Sequence, residues 1–351
     1  MRKQIPLMLA LLLSLFTLAA CTEPAPDEPE PLPTQQNAQQ IMVADHLYGI
    51  ISNARFLDIP TYEHSGQIVH PHVLFFAEPF LGYHYLMVMT PYPYSNRMYE
   101  NPSILGSQDG ILWEVPVGVV NPVSGVPVDV MDGGHYSDPF LLPRGDTLEL
   151  WFRHTMPRYI DGEYVQDSMH NRIYRTTSQD LIHWSPLETV FDCADGIDTF
   201  MSPVVMHDGS VYRLWYANYY SVLYYTESAD LIHWTPRERL QSNLGGFGIW
   251  HHDIMFTGEL YEALLLSADF GNEPRFRLFY TTSYDGIHFE PGRELVPGKI
   301  SPALEGMTAY KSTFVRQNGM YQIYLSVFTR DSEWKLFYFE IAEYDLCKLF
   351  D

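Results

Sequence analysis

The chain has 351 residues and a formal net charge of −22, with 15% aromatic and 18% charged residues. So acidic a composition argues against nucleic acid as a partner, because nucleic-acid phosphates are bound mainly by Lys and Arg. The aromatic content and the low charged fraction favour a β-rich globular domain. The part of the chain beyond residue 40 is long enough for one large core or two small ones.

The N-terminal residues are expected to lie outside the fold. Arg2 and Lys3 precede an apolar stretch, Pro6 to Leu18, that is too short to span a membrane as a stable helix. The stretch ends in Leu-Ala-Ala-Cys21, which resembles the lipobox of bacterial lipoproteins. The sequence therefore predicts a lipoprotein signal peptide over residues 1–20 and a lipid on Cys21. An ordinary secretory peptide is the alternative.

A tether follows the predicted lipidation site. Residues 22–40 are rich in Pro, Gln and acidic residues, a composition that buries little apolar surface and stays extended. We therefore predict an extracytoplasmic protein of the bacterial cell envelope, anchored to a membrane through residues 21–40. Its single folded domain would occupy residues 41–351.

Four copies of one short phrase, Ser-x-Asp-x-Ile-x-aromatic, organise the rest of the chain. The copies span residues 107–113, 178–184, 228–234 and 283–289. Repeats of this spacing with several short strands per unit are typical of a β-propeller. Because Asp-Gly favours a tight turn, we interpret the phrase as structural, with its final aromatic residue packed between blades.

A strand that opens with a polar residue and is followed by a ring-rich strand recurs five times. These openings are His70, Asp138, Ser202, His252 and Lys311, and successive openings are 68, 64, 50 and 59 residues apart. The alternating pattern, bounded by turn residues, favours strands over helices. The sequence thus predicts an all-β fold, a five-bladed β-propeller.

These features resemble the five-bladed propellers of glycoside hydrolase families 43 and 32. The resemblance rests on the repeated phrase, the five units and Asp138-Pro139, and it covers residues from about 68 to 351. It implies a glycoside hydrolase with two catalytic carboxylates, whose separation sets the stereochemistry. Two openings depart from the family patterns: His70 stands where these families have Asp, and Ser202 stands where family 32 has Glu-Cys-Pro.

The innermost strands of a propeller begin around one mouth of its central funnel, where we expect the ligand. Asp138 is predicted to activate water or to stabilise the charged transition state. Glu100, in a Tyr-rich loop that would raise its pKa, or else Asp253 is the predicted proton donor. Substrate-binding residues are predicted at the same mouth, namely His70, Arg153, His154, Trp250, His252 and Lys311. Arg153 and Lys311 would alternatively neutralise the funnel carboxylates.

No cofactor is required by this interpretation, although the resemblance implies a central cation near His252. The expected partners are an oligo- or polysaccharide and, through Cys21, a membrane, and we expect a monomer. A glycan-binding propeller without activity is the alternative, because acids are missing from the first and third openings, and a protein-docking scaffold is a third hypothesis. Cys193 and Cys347 would pair only if the ends of the ring approach each other.

Overall fold

The structure is a computed structural model that describes residues 49–161, 163–194, 198–241, 243–269 and 275–350. The predicted signal peptide, Cys21 and the tether lie outside these ranges. In the described part of the chain, no helix combines the length and apolarity needed to cross a membrane.

The described residues form five antiparallel sheets that are the five blades of a propeller, as predicted. The N-terminal strand is β1 (Ile51–Leu57). Blade one contains β2 (Ile68–Phe80), β3 (Tyr83–Pro91) and β4 (Ser103–Ser107). Blade two contains β5 (His135–Arg144), β6 (Thr147–Ile160), β7 (Glu163–Ser178) and β8 (Glu188–Cys193). Blade three contains β9 (Met201–His207), β10 (Tyr212–Ala217), β11 (Leu223–Ser228) and β12 (Glu238–Arg239).

Blade four contains β13 (Gly248–Phe256), β14 (Tyr261–Asp269), β15 (Arg275–Ser283) and β16 (Arg293–Glu294). Blade five contains β17 (Thr308–Gln317), β18 (Met320–Phe328) and β19 (Trp334–Ala342), and it is completed by β1. The helical segments are short: one turn of α-helix at Pro297–Ile300, and 3₁₀ turns at Pro93–Ser95, Arg97–Tyr99, Val130–Asp132, Pro302–Leu304 and Glu343–Leu349.

The ring closes by strand pairing between the two ends of the chain. Strand β1 lies antiparallel to β19, with Phe56 opposite Phe337 and Leu57 opposite Leu336. Leu57, Leu336 and Phe337 are buried, whereas Phe56 is exposed, so the pairing brings apolar side chains of both strands into one sheet. A disulfide plays no part, because the described cysteines Cys193 and Cys347 are not joined to each other.

The repeated phrase forms the same turn in each copy. In the second copy, Asp180 Oδ1 accepts hydrogen bonds from the backbone N–H groups of Ile182 and His183 at 2.9 and 2.7 Å. The indole of Trp184 donates to the carbonyl of Leu181 at 3.0 Å. The phrase therefore satisfies backbone groups at the outer turn of a blade, which confirms its structural interpretation.

Two buried side chains connect neighbouring blades through these turns. The hydroxyl of Tyr324, in β18, donates to the carbonyl of Gly110 at 2.9 Å, and the indole of Trp215, in β10, donates to the carbonyl of Gly286 at 2.7 Å. Both side chains are fully buried. Each bond joins the middle strand of one blade to the turn of the next, and the Tyr324 bond does so where blade five meets blade one.

Replacing Tyr324 with Phe is expected to lower the free energy of unfolding by about 0.5–1.5 kcal/mol, because one buried hydrogen bond is lost while the Gly110 carbonyl keeps a second donor, the indole of Trp113. Denaturant unfolding followed by tryptophan fluorescence measures the change. Tyr284→Phe is the matched control, since Tyr284 is 82% exposed and its loss of a hydroxyl should stay within about 0.5 kcal/mol. Equal stability of the two variants would show that the bond to Gly110 contributes nothing.

Candidate functional site

All five innermost strands carry a β-bulge near their first residues. In blades one to three, two residues lie opposite a single partner, and they are His70-Pro71, Asp138-Pro139 and Ser202-Pro203. In blades four and five one residue is inserted, Trp250 and Tyr310 respectively. Because a bulge re-aims the side chain of the inserted residue, five equivalent positions surround one mouth of the central channel.

Three of these bulge residues have an unusual backbone. The φ angles of His70, Asp138 and Ser202 are 53°, 51° and 50°, in the left-handed region that most L residues avoid. Each residue also precedes a proline, which restricts its backbone further. Such conformations cost on the order of 1–3 kcal/mol and persist where the surroundings enforce them, often at functional sites. The X-Pro openings therefore mark three side chains that are held in fixed directions.

Asp138 lies at the centre of the resulting cluster and is fully buried. Its Oδ2 lies 3.0 Å from Nη2 of Arg153 and accepts from the hydroxyl of Ser137 at 3.1 Å. Its Oδ1 accepts from the backbone N–H and the hydroxyl of Ser202 at 3.1 and 3.3 Å. Burial opposes ionisation, but the positive charge of Arg153 and the hydrogen-bond donors around the carboxylate hold the pKa of Asp138 well below its usual range. The carboxylate is therefore ionised at neutral pH.

Two imidazoles face the same oxygen of Asp138. His70 Nε2 and His251 Nδ1 lie 3.5 and 3.4 Å from Oδ1. Burial holds the pKa of both histidines below the usual value, so the rings are neutral. The other nitrogen of His70 lies 3.0 Å from the hydroxyl of Thr90. The Nε2 atoms of both rings are buried and have no hydrogen-bond partner.

This donor set fits a divalent metal ion. One donor atom from each of His70, Asp138 and His251 lies within 4.8 Å of the others, and within the described ranges no second group of three such residues does so. Two neutral imidazoles and a carboxylate suit Zn²⁺ or another divalent transition metal. Ligating histidines are commonly oriented by a contact at the far ring nitrogen, as Thr90 provides for His70. The Nε2 atom of His70 has no hydrogen-bond partner and faces the carboxylate of Asp138. A cation bound between them would be coordinated by both.

Glu100 stands beside this cluster and is 5% exposed. It follows the 3₁₀ turn Arg97–Tyr99, and its Oε2 lies 3.8 Å from Nε2 of His135. Burial, and then the charge of Asp138, raise the pKa of Glu100 to about 8. Burial and the nearby Arg153 lower the pKa of His135 to about 4, so this ring is neutral. Glu100 is therefore suited to exchange a proton near neutral pH.

Aromatic rings line the same mouth. The ring centroids of Trp250 and Tyr310 lie 5.8 and 4.5 Å from that of His251. Tyr219 contacts Trp250 at 5.9 Å and is 63% exposed. Burial, and then the charge of Glu100, raise the pKa of Tyr310 well above its usual value, so its hydroxyl keeps its proton. Rings of this kind offer apolar faces and polar tips to a sugar.

Asp253 lies away from Asp138, although the sequence predicted both at one mouth. It lines a cavity of 520 Å³ formed by the far ends of the innermost strands, together with Phe140 and Phe314. Its carboxylate accepts from the hydroxyl of Thr313 at 2.7 Å. Burial raises the pKa of Asp253 to about 6. Asp253 therefore does not join the cluster around Asp138.

His252 and Lys311 also lie outside the donor set. Adjacent strand residues point to opposite sides, so His252 is directed away from the face that His251 shares with Asp138. Burial, and then the charge of Lys311, lower the pKa of His252 to about 3. Lys311 is buried within electrostatic reach of both Asp138 and Asp253. Its position fits the alternative in which it neutralises funnel carboxylates.

Arg153 and His154 are engaged within the protein. Arg153 contacts Asp138 and donates to the hydroxyl of Ser137 and to the carbonyl of Thr199 at 3.0 and 3.1 Å. His154 is on the other side of β6, with Nε2 3.0 Å from Oδ1 of Asp129. Among the predicted residues, the structure thus brings together His70, Glu100, Asp138, Arg153 and Trp250.

The predicted site residues did not include His251, Tyr310 and His135. His251 and Tyr310 were missed because the bulges of blades four and five contain one residue and no proline. Trp250 and Tyr310 therefore take the positions expected for His252 and Lys311, and His251 instead of His252 faces Asp138. The aromatic residue before each polar opening was the available signal. His135, three residues before Asp138 in β5, carries no such signal.

Comparisons with known proteins are consistent with a carbohydrate-active fold. No family model matches the chain. The chain is 25% identical over 320 residues to the A type blood N-acetyl-alpha-D-galactosamine deacetylase of Flavonifractor plautii, a match that covers 75% of this chain and 40% of that protein. The chain thus spans about two fifths of the length of this curated relative.

Solved structures share the fold. An N-acetylgalactosamine deacetylase from F. plautii, in complex with blood group B trisaccharide, superposes with a TM-score of 0.69 at 20% identity, covering 85% of this chain and 97% of that one. The family 43 protein BlXynB of Bacillus licheniformis has a TM-score of 0.52 at 16% identity, covering 77% and 52%. The family 62 α-L-arabinofuranosidase domain of Coprinopsis cinerea has a TM-score of 0.55 at 12% identity, covering 83% and 96%. The expected resemblance to five-bladed glycoside hydrolase propellers is therefore confirmed for the fold.

Proposed function

We propose that this chain is a hydrolase that removes the acetyl group from an N-acetylated amino sugar of a glycan, with a divalent metal ion held by His70, Asp138 and His251. The observation that carries the proposal is the convergence of two neutral imidazoles and one ionised carboxylate on a single point beside Glu100. The sequence relative named as an N-acetyl-galactosamine deacetylase supports the choice of reaction and of sugar.

The chemistry needs one proton carrier and one water molecule. When bound, a divalent ion supplies Lewis-acid chemistry, polarising the acetamide carbonyl and acidifying water. Glu100, as its carboxylate, takes a proton from the water whose oxygen bonds to the acetyl carbon. Glu100 then returns that proton to the amide nitrogen as the C–N bond breaks. The products are acetic acid and a primary amine on the sugar, and at neutral pH the acid gives its proton to the amine, which leaves acetate and an ammonium group.

Glycoside hydrolysis is the second candidate, and the separated pKa values of two carboxyl groups favour it. Asp138 stays ionised while the pKa of Glu100 is raised to about 8, which is the pattern of a carboxylate and an acid donor. The contacts of Asp138 weigh against it, because Arg153, Ser137 and Ser202 occupy both carboxylate oxygens. An oxygen bound in this way is poorly placed to attack a sugar or to activate water.

The two reactions release different products, so one assay separates them. The full chain is incubated with oligosaccharides that carry N-acetyl-α-D-galactosamine, and acetate, primary amine and new reducing ends are measured together. Deacetylation predicts equal amounts of acetate and amine without new reducing ends. New reducing ends without acetate would instead establish a glycosidase, and binding without either product would favour a glycan-binding protein.

Trp250 is proposed to hold the sugar at the mouth. Its ring contacts His251 and Tyr219 and is only partly buried. Trp250→Ala is expected to raise KM about tenfold with a smaller effect on kcat, because loss of a stacking ring of about 1–1.5 kcal/mol affects substrate and transition state alike. Steady-state kinetics measure the two constants, and an unchanged KM would exclude this role.

We also propose that Cys21 carries a lipid that anchors the protein on the extracytoplasmic side of a membrane. The support is the Leu-Ala-Ala-Cys21 pattern and the Pro- and acid-rich stretch after it. Mass spectrometry of the N-terminal peptide should find a diacylglyceryl-sized addition at Cys21, and Cys21→Ser should abolish it. An unmodified Cys21 in protein recovered from the host's membranes would contradict the anchor.

A further inference from the structure

Tyr310 occupies the blade-five member of the five equivalent bulge positions. Strand β17 pairs Ala309 with Val327 and Lys311 with Ser326, so Tyr310 is the residue inserted at this bulge. Its counterparts in blades one and two are His70 and Asp138. The β-bulges that direct His70 and Asp138 into the mouth therefore have an equivalent in blade five that directs the phenol of Tyr310 there as well.

The phenol is fixed from several sides. Its ring centroid lies 4.5 Å from that of His251, 5.5 Å from that of His70 and 4.9 Å from that of Trp334. The carboxylates of Glu100 and Asp138 both act electrostatically on its hydroxyl. Tyr310 is nevertheless partly exposed at the mouth, so a bound substrate can reach it.

We propose that the Tyr310 hydroxyl donates a hydrogen bond to the acetamide oxygen as negative charge develops on it, an assignment that rests on the proposed deacetylation. When water adds to the acetyl carbon, the electron pair of the C=O π bond moves onto that oxygen. A protonated phenol is a donor at neutral pH, and a donor fixed in advance stabilises this charge without reorganisation. The phenol keeps its proton, and no bond to Tyr310 forms or breaks.

The ring and the hydroxyl of Tyr310 can be tested separately. Its ring, which a Phe would keep, makes the contacts with both imidazoles and with Trp334. The hydroxyl is the part that Tyr310→Phe removes. The variant thus separates packing from hydrogen bonding.

The experiment compares the full-length wild-type chain with Tyr310→Phe on an oligosaccharide that carries N-acetyl-α-D-galactosamine, and acetate release is followed. The expected result is a fall in kcat of about 10²–10³-fold, as for removal of one oxyanion donor. KM should stay within about twofold, because the bond strengthens only in the transition state. Zn²⁺ affinity, measured by calorimetry, should not change.

Tyr136→Phe is the matched control. Tyr136 is a tyrosine near the start of another innermost strand, but its ring packs on Phe152 and His154 and not on the donor set. Its variant should keep kcat. Full kcat in Tyr310→Phe, or a loss of Zn²⁺ affinity that accounts for the fall, would overturn the assignment while leaving the deacetylase intact. A wild-type chain that releases no acetate would overturn both proposals.

Discussion

Asp138→Asn is expected to abolish both acetate release and divalent-metal binding. The substitution removes the negative charge that His70, His251 and Arg153 share. The loss in metal affinity should exceed the roughly 10–100-fold that the removal of an outer partner costs a metal site. Arg153 would also be left as a buried charge without its partner, which costs on the order of 3–5 kcal/mol in stability.

Calorimetry with Zn²⁺, acetate release and denaturant unfolding measure these three effects. Asp253→Asn is the matched control, because it makes the same change to a buried Asp that faces the opposite cavity. The control should keep metal binding and activity. If Asp253→Asn were inactive and Asp138→Asn active, Asp138 would not be the metal ligand, and Asp253 would be the proton donor that the sequence predicted.

Glu100→Gln is expected to lower kcat by about 10²–10⁴-fold, the usual contribution of a general acid–base group. Gln retains the shape of the side chain but neither accepts nor releases a proton at this pH. Metal affinity should change little, since Glu100 is not among the three donors. A variant with wild-type kcat would show that another group carries the proton.

Glu100→Gln, which should lower kcat, should at the same time raise the stability of the folded chain. The pKa of Glu100 in the folded chain is about 8 rather than 4.5, so the folded state binds this proton more tightly than the unfolded state does. Stability therefore falls as the pH rises from about 4.5 to about 8. In metal-free protein at pH 7, Glu100→Gln should raise the free energy of unfolding by at most roughly 3 kcal/mol. Lower stability than wild type between pH 7 and 8 would contradict the raised pKa.

The fold could be predicted from the sequence because one short motif recurs in four of the five blades. The Ser-x-Asp-x-Ile-x-aromatic phrase recurs at fixed places in the blades, and its Asp side chains serve the same backbone groups each time. A repeated local requirement leaves a repeated sequence. The closing strand Ile51–Leu57 has no such signal, because its place in blade five depends on pairing with β19 at the other end of the chain.

The site was only partly predictable, for reasons that lie in the strand openings. His70 and Asp138 were found because Pro follows each of them, and this pair marks the bulge. In blade four the bulge residue is Trp250, and a shift of one residue in a strand turns the side chain to the other side. For this reason His252 was predicted to face the mouth, whereas His251 is the residue that faces Asp138. Glu100 was found from its Tyr-rich loop, and its raised pKa agrees with that expectation.

The contacts of the Asp138 carboxylate favour a deacetylase over the glycosidase that the sequence predicted. The sequence offered Asp138 as a catalytic carboxylate, and a glycosidase would need its oxygens directed at the sugar. In the folded chain those oxygens face Arg153, Ser202 and two imidazoles. We interpret this environment as that of a metal ligand, and a fold shared with glycosidases does not decide between the two reactions.

The most direct test of this account is acetate release measured against metal occupancy on one sample. The full chain is stripped with a chelator and titrated with Zn²⁺, and bound metal, acetate and reducing ends are quantified at each step. We expect acetate release to rise with bound metal and to saturate at about one ion per chain, and we expect no new reducing ends. Undiminished acetate release from the metal-free chain, or reducing ends that appear in place of acetate, would contradict it.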